Sequence, residues 1–258
     1  MDYENQEMLE RIFNKNQTLP LLRDRFAKKG VKHPFLLDLL SHMVLHRQAN
    51  VPTMVGLLNR HFNGDLQATC NALREAADND LVDFNVSTDM FVIKFDVDQA
   101  THDLIDRYRY MPPMIVPPKT LKNNKSSGYL TPVADSLLLR DNHHDGDICL
   151  DSLNRFNAIP LKINEDFVRG IRNTWKGIDK QGDDETILDY QKRVKAFEKY
   201  EKDSYWVLAM LIEMGNEFWL THKVDKRGRT YAQGYHVNTQ GNTWNKACVE
   251  FHQEELVQ

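Results

Sequence analysis

From about Thr186 to Glu217 the chain has no proline, and no glycine until Gly215. Within that stretch Ile187, Tyr190, Val194, Phe197, Leu208, Leu211 and Met214 recur at steps of three and four, the period of one buried helix face. The spacing predicts a single helix of about 45 Å at a rise of ~1.5 Å per residue. Asn164, followed by Glu165 and Asp166, predicts the capped start of a shorter helix before it, with the acids where the helix dipole favours them. Two such helices, antiparallel across the turn GIDKQGDDE, make a projecting arm. Its tip and flank carry Lys192, Arg193, Lys195, Lys199 and Lys202 mixed with acids. That pattern fits i,i+4 salt bridging on a solvated face as well as it fits nucleic-acid contact.

The first third is also helical. Leu36, Leu39, Leu40, Met43 and Val44 mark one buried face, and Met54, Leu57, Leu58 and Phe62 mark a second. Asn63-Gly64 ends that helix, and Asp65 caps a third through Leu66, Cys70, Leu73 and Ala77. Alternation at Val82, Phe84 and Val86, a turn near Ser87-Thr88-Asp89, and a return through Phe91, Ile93 and Phe95 predict a β-hairpin. Three helices and a hairpin are also the order of a winged helix, whose third helix reads a DNA groove. Here that helix is acid-rich and offers Arg74 as its one base, whereas groove reading needs cations for phosphates.

A net charge of -4 excludes coating nucleic acid by bulk charge, so any such binding is local. Two windows depart from the mean: Arg107 to Leu130, with Arg109, Lys119, Lys122 and Lys125 and no acid, and Lys223 to Lys246. No apolar run approaches the ~18 residues that cross a bilayer, and the acidic amphipathic N-terminus is unlike a secretory signal, so a cytoplasmic protein without a membrane anchor is expected. Cys70, Cys149 and Cys248 lack CxxC spacing and read as reduced core thiols. His143, His144, Asp145, Asp147 and Asp151 cluster in sequence, but adjacent histidines point apart and these residues equally suit a solvated turn; no metal site is expected.

Between helices and arm, YRYMPPMIVPPKT contains two proline pairs and predicts an extended connector, followed by a lysine-bearing polar loop. After the arm, EFWLTHKVD and RTYAQGYHVN read as two strands joined by a tight turn at Lys226-Arg227-Gly228. With extended backbone, Arg227 and Arg229 share a face. Two guanidinium forks there suit a sugar-phosphate backbone, Asp225 can orient one of them, and Gly228 admits close approach. A structural ion pair with Asp225 accounts for the same residues.

These residues carry a resemblance. The run from Phe218 to Phe251 resembles the start of the polymerase domain of phage and mitochondrial single-subunit RNA polymerases: Asp225, Gly228 and Arg229 match the DxxGR motif, Tyr231 its following aromatic, Gln240-Gly241-Asn242 the QGN element and Lys246 the downstream lysine. LNRFNAIPLKIN resembles the segment that opens the thumb helix, and MIVPPK the VPP segment after the upstream hairpin. Order and spacing agree across roughly Leu81 to Phe251. The palm aspartates that bind Mg²⁺ and the fingers helix are not in this sequence, which fits either a truncated piece of such an enzyme or one split into two chains; the second is favoured, and on it the chain resembles the small N-terminal subunit of the split, heterodimeric enzymes of schitovirus-type podophages.

The resemblance implies an α+β, mainly α fold: a helical N-terminal domain over 1–80, a hairpin and return over 81–110, a connector over 111–163, a thumb arm over 164–217 and the first palm strands over 218–258. It implies contacts to template strand and RNA:DNA hybrid from Asp225, Lys226, Arg227, Gly228, Arg229, Tyr231, Lys246, Lys119, Lys122, Lys125, Arg155 and Lys162. Val86, Ser87, Thr88 and Asp89 would stand at the upstream edge of the bubble, and Lys192, Arg193 and Lys195 would serve the thumb. The implied activity is nucleotidyl transfer in the bacterial host cytoplasm by an obligate heterodimer whose large chain holds Mg²⁺, this chain being inactive alone. A winged-helix transcriptional regulator is the alternative.

Overall fold

The apolar residues gather into separate cores, and the chain divides between Arg109 and Tyr110. In the computed structural model, which describes residues 2–13, 15–132, 136–139, 142–146 and 148–253, one unit comprises Asn14–Arg109 and the other joins Met1–Phe13 to Tyr110–Gln258. Helix α1 (Asp2–Ile12) belongs to the second. The fold is α+β and mainly α. No helix among the described residues is long and apolar enough to cross a membrane.

The Asn14–Arg109 unit runs α2 (Lys15–Lys28), α3 (Pro34–His46), β1 (Gln48–Asn50), α4 (Val51–Leu58) with a 3₁₀ turn over Asn59–Phe62, α5 (Leu66–Asp78), β2 (Asp83–Asn85), β3 (Met90–Val92) and α6 (Gln99–Arg107). Pro34 opens α3, where a missing N–H costs nothing. Leu39, Leu40, Met43 and Val44 are buried as their spacing predicts, and Leu36 packs partly. Asp38, Ser41 and His42 are buried as well, so α3 is enclosed beyond its apolar face. Burial alone raises the Asp38 carboxyl, but hydrogen bonds from Arg60 and His61 and the charges of Arg60 and Arg23 outweigh it and hold it below its usual value. Asp65 caps α5 by accepting from the Ala68 N–H at 3.0 Å.

The hairpin is present with shorter strands than the alternation predicts, three residues each, and Phe84 stands opposite Phe91. The sequence reading has no place for β1, which pairs antiparallel with β3 and gives the sheet order β1-β3-β2. The unit thus runs helix, strand, helix, helix and hairpin, with the first strand beside the last.

The other unit contains α7 (Leu150–Asn157), β4 (Leu161–Ile163), α8 (Glu165–Gly170), α9 (Ile187–Glu213), β5 (His222–Val224), β6 (Thr230–Ala232), α10 (Thr243–Ala247) and β7 (Val249–Phe251). Asn164 caps α8 through the Phe167 N–H at 2.8 Å, and Thr186 caps α9 through the Asp189 N–H at 3.1 Å. At 27 residues α9 is about 40 Å long, and α8, at 6, is much shorter than the arm's symmetry suggests. The C-terminal part of α9 buries Val207, Leu208 and Leu211 against Ile163, Phe218, Leu220 and Trp244.

Among the described residues of this unit the named strands pair in twos, β4 with β7 and β5 with β6, and side-chain amides bond to neighbouring backbone. Asn216 Oδ1 accepts from the Ile163 N–H at 2.7 Å while its Nδ2 donates to the Ile163 carbonyl at 3.0 Å. Asn154 does the same for Leu121, at 2.7 and 3.1 Å. Gln240 accepts from the Ala232 N–H at 2.8 Å and donates to the Thr230 carbonyl at 3.0 Å. Each amide presents one donor and one acceptor, as a peptide group does.

Helix α1 is strapped into this unit by polar groups. Glu10, fully buried, accepts from the N–H groups of Leu130 at 2.8 Å and Thr131 at 2.6 Å, from Thr131 Oγ1 at 2.7 Å and from Gln6 Nε2 at 3.0 Å. Gln6 Oε1 accepts from the Ile115 N–H at 2.8 Å. The thiols correct the sequence reading. Cys248 alone is a core thiol, pushed up to about 12 by burial, whereas Cys70 is half-buried and Cys149 exposed.

Candidate nucleic-acid interface

The turn between β5 and β6 is built on one carboxylate. Asp225 Oδ1 accepts from the backbone N–H of Arg227 at 2.9 Å and of Arg229 at 3.0 Å; Oδ2 accepts from Arg229 Nε at 2.6 Å and from the Tyr231 hydroxyl at 3.3 Å. The Gly228 N–H closes the turn on the Asp225 carbonyl at 3.0 Å, at a φ of 79° that a glycine adopts without strain. Asp225 is 6% exposed. Burial raises its carboxyl, but the Arg229 fork and the two N–H groups outweigh that and bring it down to about 2.

The two arginines are therefore not side by side. Extended backbone would have aligned them, but the turn separates their tasks. Arg229 is committed to Asp225 and lies over the Tyr231 ring at 5.9 Å. Arg227 sits at the exposed tip, and its guanidinium has no partner among the described residues. Lys226 is exposed beside it, its N–H bonded to Asn142 Oδ1 at 2.7 Å. Of the QGN element, Gln240 serves the sheet, Gly241 lies against the Asn245 side chain, and Asn242 caps α10, whose Lys246 is exposed.

A small core of Leu121, Leu137, Leu153 and Val224 draws several predicted basic residues to one region. Val224 leads into the Asp225 turn, Leu153 brings Arg155 on α7, and Leu121 brings the loop with Lys122 and Lys125. That loop is held by Ser126 Oγ, which accepts from the Lys122 and Asn123 N–H groups at 3.0 Å. Leu137 connects them, donating to the Asn124 carbonyl at 2.8 Å and accepting from the Val224 N–H at 2.9 Å. Lys122 and Lys125 are exposed; Arg155 is exposed and 3.9 Å from Asp151. Two predicted residues are engaged otherwise: Lys119 Nζ donates to the Leu130 carbonyl, and Lys162 lies 3.9 Å from Glu250 across the β4-β7 pair.

On α9 the helical period sorts the charges that sequence order mixes. Leu188, Lys192, Lys195, Lys199, Lys202 and Trp206 follow at steps of 4, 3, 4, 3 and 4, one continuous stripe. Lys195 and Lys202 are exposed, Lys192 is 3.2 Å from Asp189, and Leu188 and Trp206 bracket the lysines as exposed apolar residues. Arg193 belongs to the other side. Glu185 holds it through two hydrogen bonds of 2.9 and 2.7 Å, and it lies 5.4 Å from the Tyr190 ring and 5.6 Å from the Trp175 ring. Its contact to Glu185, with the Gly182 N–H, brings that carboxyl down to about 2.

The hairpin tip is fully presented. Asn85 Oδ1 accepts from the N–H groups of Ser87 at 3.0 Å and Thr88 at 3.3 Å, Asp89 takes a φ of 54°, and Val86 is 84% exposed. His143 pairs with Asp145 at 2.9 Å, and His144 Nε2 lies 3.2 Å from the Asp225 carbonyl; Asp147 lies outside the described residues. Among the described residues no three His, Cys, Asp or Glu side chains converge as metal ligands would.

No family model matches the chain. Over 125 residues, 45% of this chain and 13% of the other, it is 26% identical to a protein of Gelasinospora sp. (strain G114) named "Probable DNA-directed RNA polymerase". The chain thus spans a small part of that relative's length, and over that part it is similar to an RNA polymerase.

Proposed function

We propose that this chain is the N-terminal subunit of a two-chain DNA-directed RNA polymerase, holding template strand and RNA:DNA hybrid while a larger partner supplies the nucleotidyl-transfer site with its Mg²⁺. The observation that carries the proposal is the small core of Leu121, Leu137, Leu153 and Val224, which joins the segments bearing Lys122, Lys125, Arg155, Lys226 and Arg227, beside a DxxGR turn whose carboxylate fixes the backbone. Phosphates are bound by cations placed on a rigid frame, and this turn is rigid because four donors converge on Asp225. The lysine stripe of α9 supplies a second track of positive charge, as a thumb lying along a nucleic-acid strand requires. The partial similarity to a protein named as a polymerase points the same way.

The test is extension of a preformed RNA:DNA scaffold with Mg²⁺ and nucleotides. The chain alone is expected to make no RNA and, combined with a large chain carrying the palm aspartates, to extend the primer. Synthesis by the chain alone would sink the proposal.

The sheet order β1-β3-β2 favours a second reading of the Asn14–Arg109 unit, a winged-helix DNA reader. Gln67, Asn71 and Arg74 face solvent on α5 at steps of four and three, but Glu75, Asp78, Asp80, Asp83 and Asp89 stand on that helix or the hairpin after it and repel phosphate. Sequence-specific retention of a duplex by residues 14–109 would favour it.

A further inference from the structure

Within the Asn14–Arg109 unit a cavity of about 90 Å³, room for roughly three waters, opens between the end of α3 and α6. Its lining includes His46, Arg47, His102 and Arg109, with Thr18 and Asp106 as further polar groups. Among the lining residues two arginines and two histidines thus stand with one carboxylate. Helix α3 ends there on Arg47, at φ 59° and ψ -40°, where its N–H bonds to the Met43 carbonyl. Glycine is the ordinary residue at a positive-φ helix end, and a side chain there is strained. The strain has a geometric result: Arg47 Nη2 reaches His102 Nδ1 at 3.0 Å. A guanidinium can only donate, so His102 Nδ1 accepts and the imidazole proton lies on Nε2, which leaves the ring one donor, Nε2–H. The fold holds a strained arginine and a tautomer-fixed histidine at a small cavity lined by two more basic residues.

We propose that this cavity is a phosphate-binding site, taking a single phosphate group through the Arg47 fork and His102. Planar guanidinium pairs bidentately with phosphate oxygens, and the volume is on the scale of one tetrahedral oxyanion. The site is separate from the basic region around Asp225 and does not depend on the polymerase reading.

The experiment is calorimetric titration of the full chain with inorganic phosphate, repeated with Arg47→Gly and His102→Ala. Wild type is expected to bind one phosphate per chain. Arg47→Gly is expected to weaken binding about tenfold or more while its melting temperature holds or rises, because glycine adopts φ 59° freely. That pairing of results separates a binding role from a structural one, and His102→Ala should weaken binding too. Titration with a 5′-phosphorylated oligonucleotide and its 5′-hydroxyl twin distinguishes the source. Preference for the phosphorylated strand that Arg47→Gly abolishes identifies a strand end, equal binding of both strands that Arg47→Gly weakens identifies a backbone phosphate, and an effect of Arg47→Gly on the free ion alone identifies inorganic phosphate. No binding of any of them by wild type overturns the proposal, as does equal binding by wild type and Arg47→Gly.

Discussion

Arg227 and Arg229 are two residues apart, and the structure assigns them different work. Arg229→Ala is expected to lower the melting temperature, because Asp225 is buried and loses the cation that offsets its burial. Arg227→Ala is expected to leave the melting temperature unchanged, as loss of an exposed cation usually does, and to reduce the salt slope of scaffold binding by about one counterion. Thermal denaturation and fluorescence anisotropy read the two; the reverse assignment would show that Arg227 serves the fold and Arg229 the ligand. Asp225 adds a pH signature. Its carboxyl sits at about 2 in the folded chain, below the ~3.9 of a free aspartate, so its stabilisation is complete above the free value and is lost as pH falls towards 2. Asp225→Asn should be less stable at neutral pH and show a shallower decline in melting temperature between about pH 4 and pH 2.

Elements carry the next set of consequences. If the α9 stripe tracks a nucleic-acid strand, Lys195→Gln with Lys202→Gln should weaken scaffold binding and flatten its salt dependence by about two counterions, with helicity by circular dichroism unchanged. Unaltered binding would leave the stripe an ordinary solvated face. Asn216→Ala removes both hydrogen bonds that Ile163 makes to that amide and should cost about 1 to 3 kcal/mol in denaturant unfolding. Helices were the legible part of this chain: Leu39, Met43, Met54 and Leu73 announce their burial by period, and Asp65 and Asn164 stand before their helices as caps. The three-residue strand β1 was not legible, being too short to alternate. Nor could spacing show that Asn154, Asn216 and Gln240 bond to neighbouring backbone, because an amide paired to backbone looks in sequence like any loop asparagine or glutamine. The DxxGR site was half legible. An arginine oriented by Asp225 was read from the residues and is present at Arg229, but the extended backbone assumed for Arg227 gave way to a turn that Gly228 and Asp225 impose.

At the scale of the whole molecule, two units are joined by a chain that visits one of them twice. Deleting residues 1–13 is expected to lower hydrogen-exchange protection at Ile115, Leu130 and Thr131, whose N–H groups bond to Gln6 and Glu10, while leaving α3 and β3 protected. Loss of protection in both regions would mean that the two units unfold together.

The buried Glu10 also sets a timetable. Its acceptors wait for Thr131, which lies 121 residues downstream. At a synthesis rate of ~5–20 residues per second, α1 emerges from the ribosome on the order of 6 to 24 s before its partners do. In that interval all of Asn14–Arg109 is made and can fold, so the segment at Leu130–Thr131 closes on α1 after the intervening unit is complete. Residues added ahead of Met1 must leave that late docking free, and a ribosome stalled before Thr131 holds a nascent chain with Leu9 and Phe13, both buried in the finished protein, exposed to chaperones and proteases.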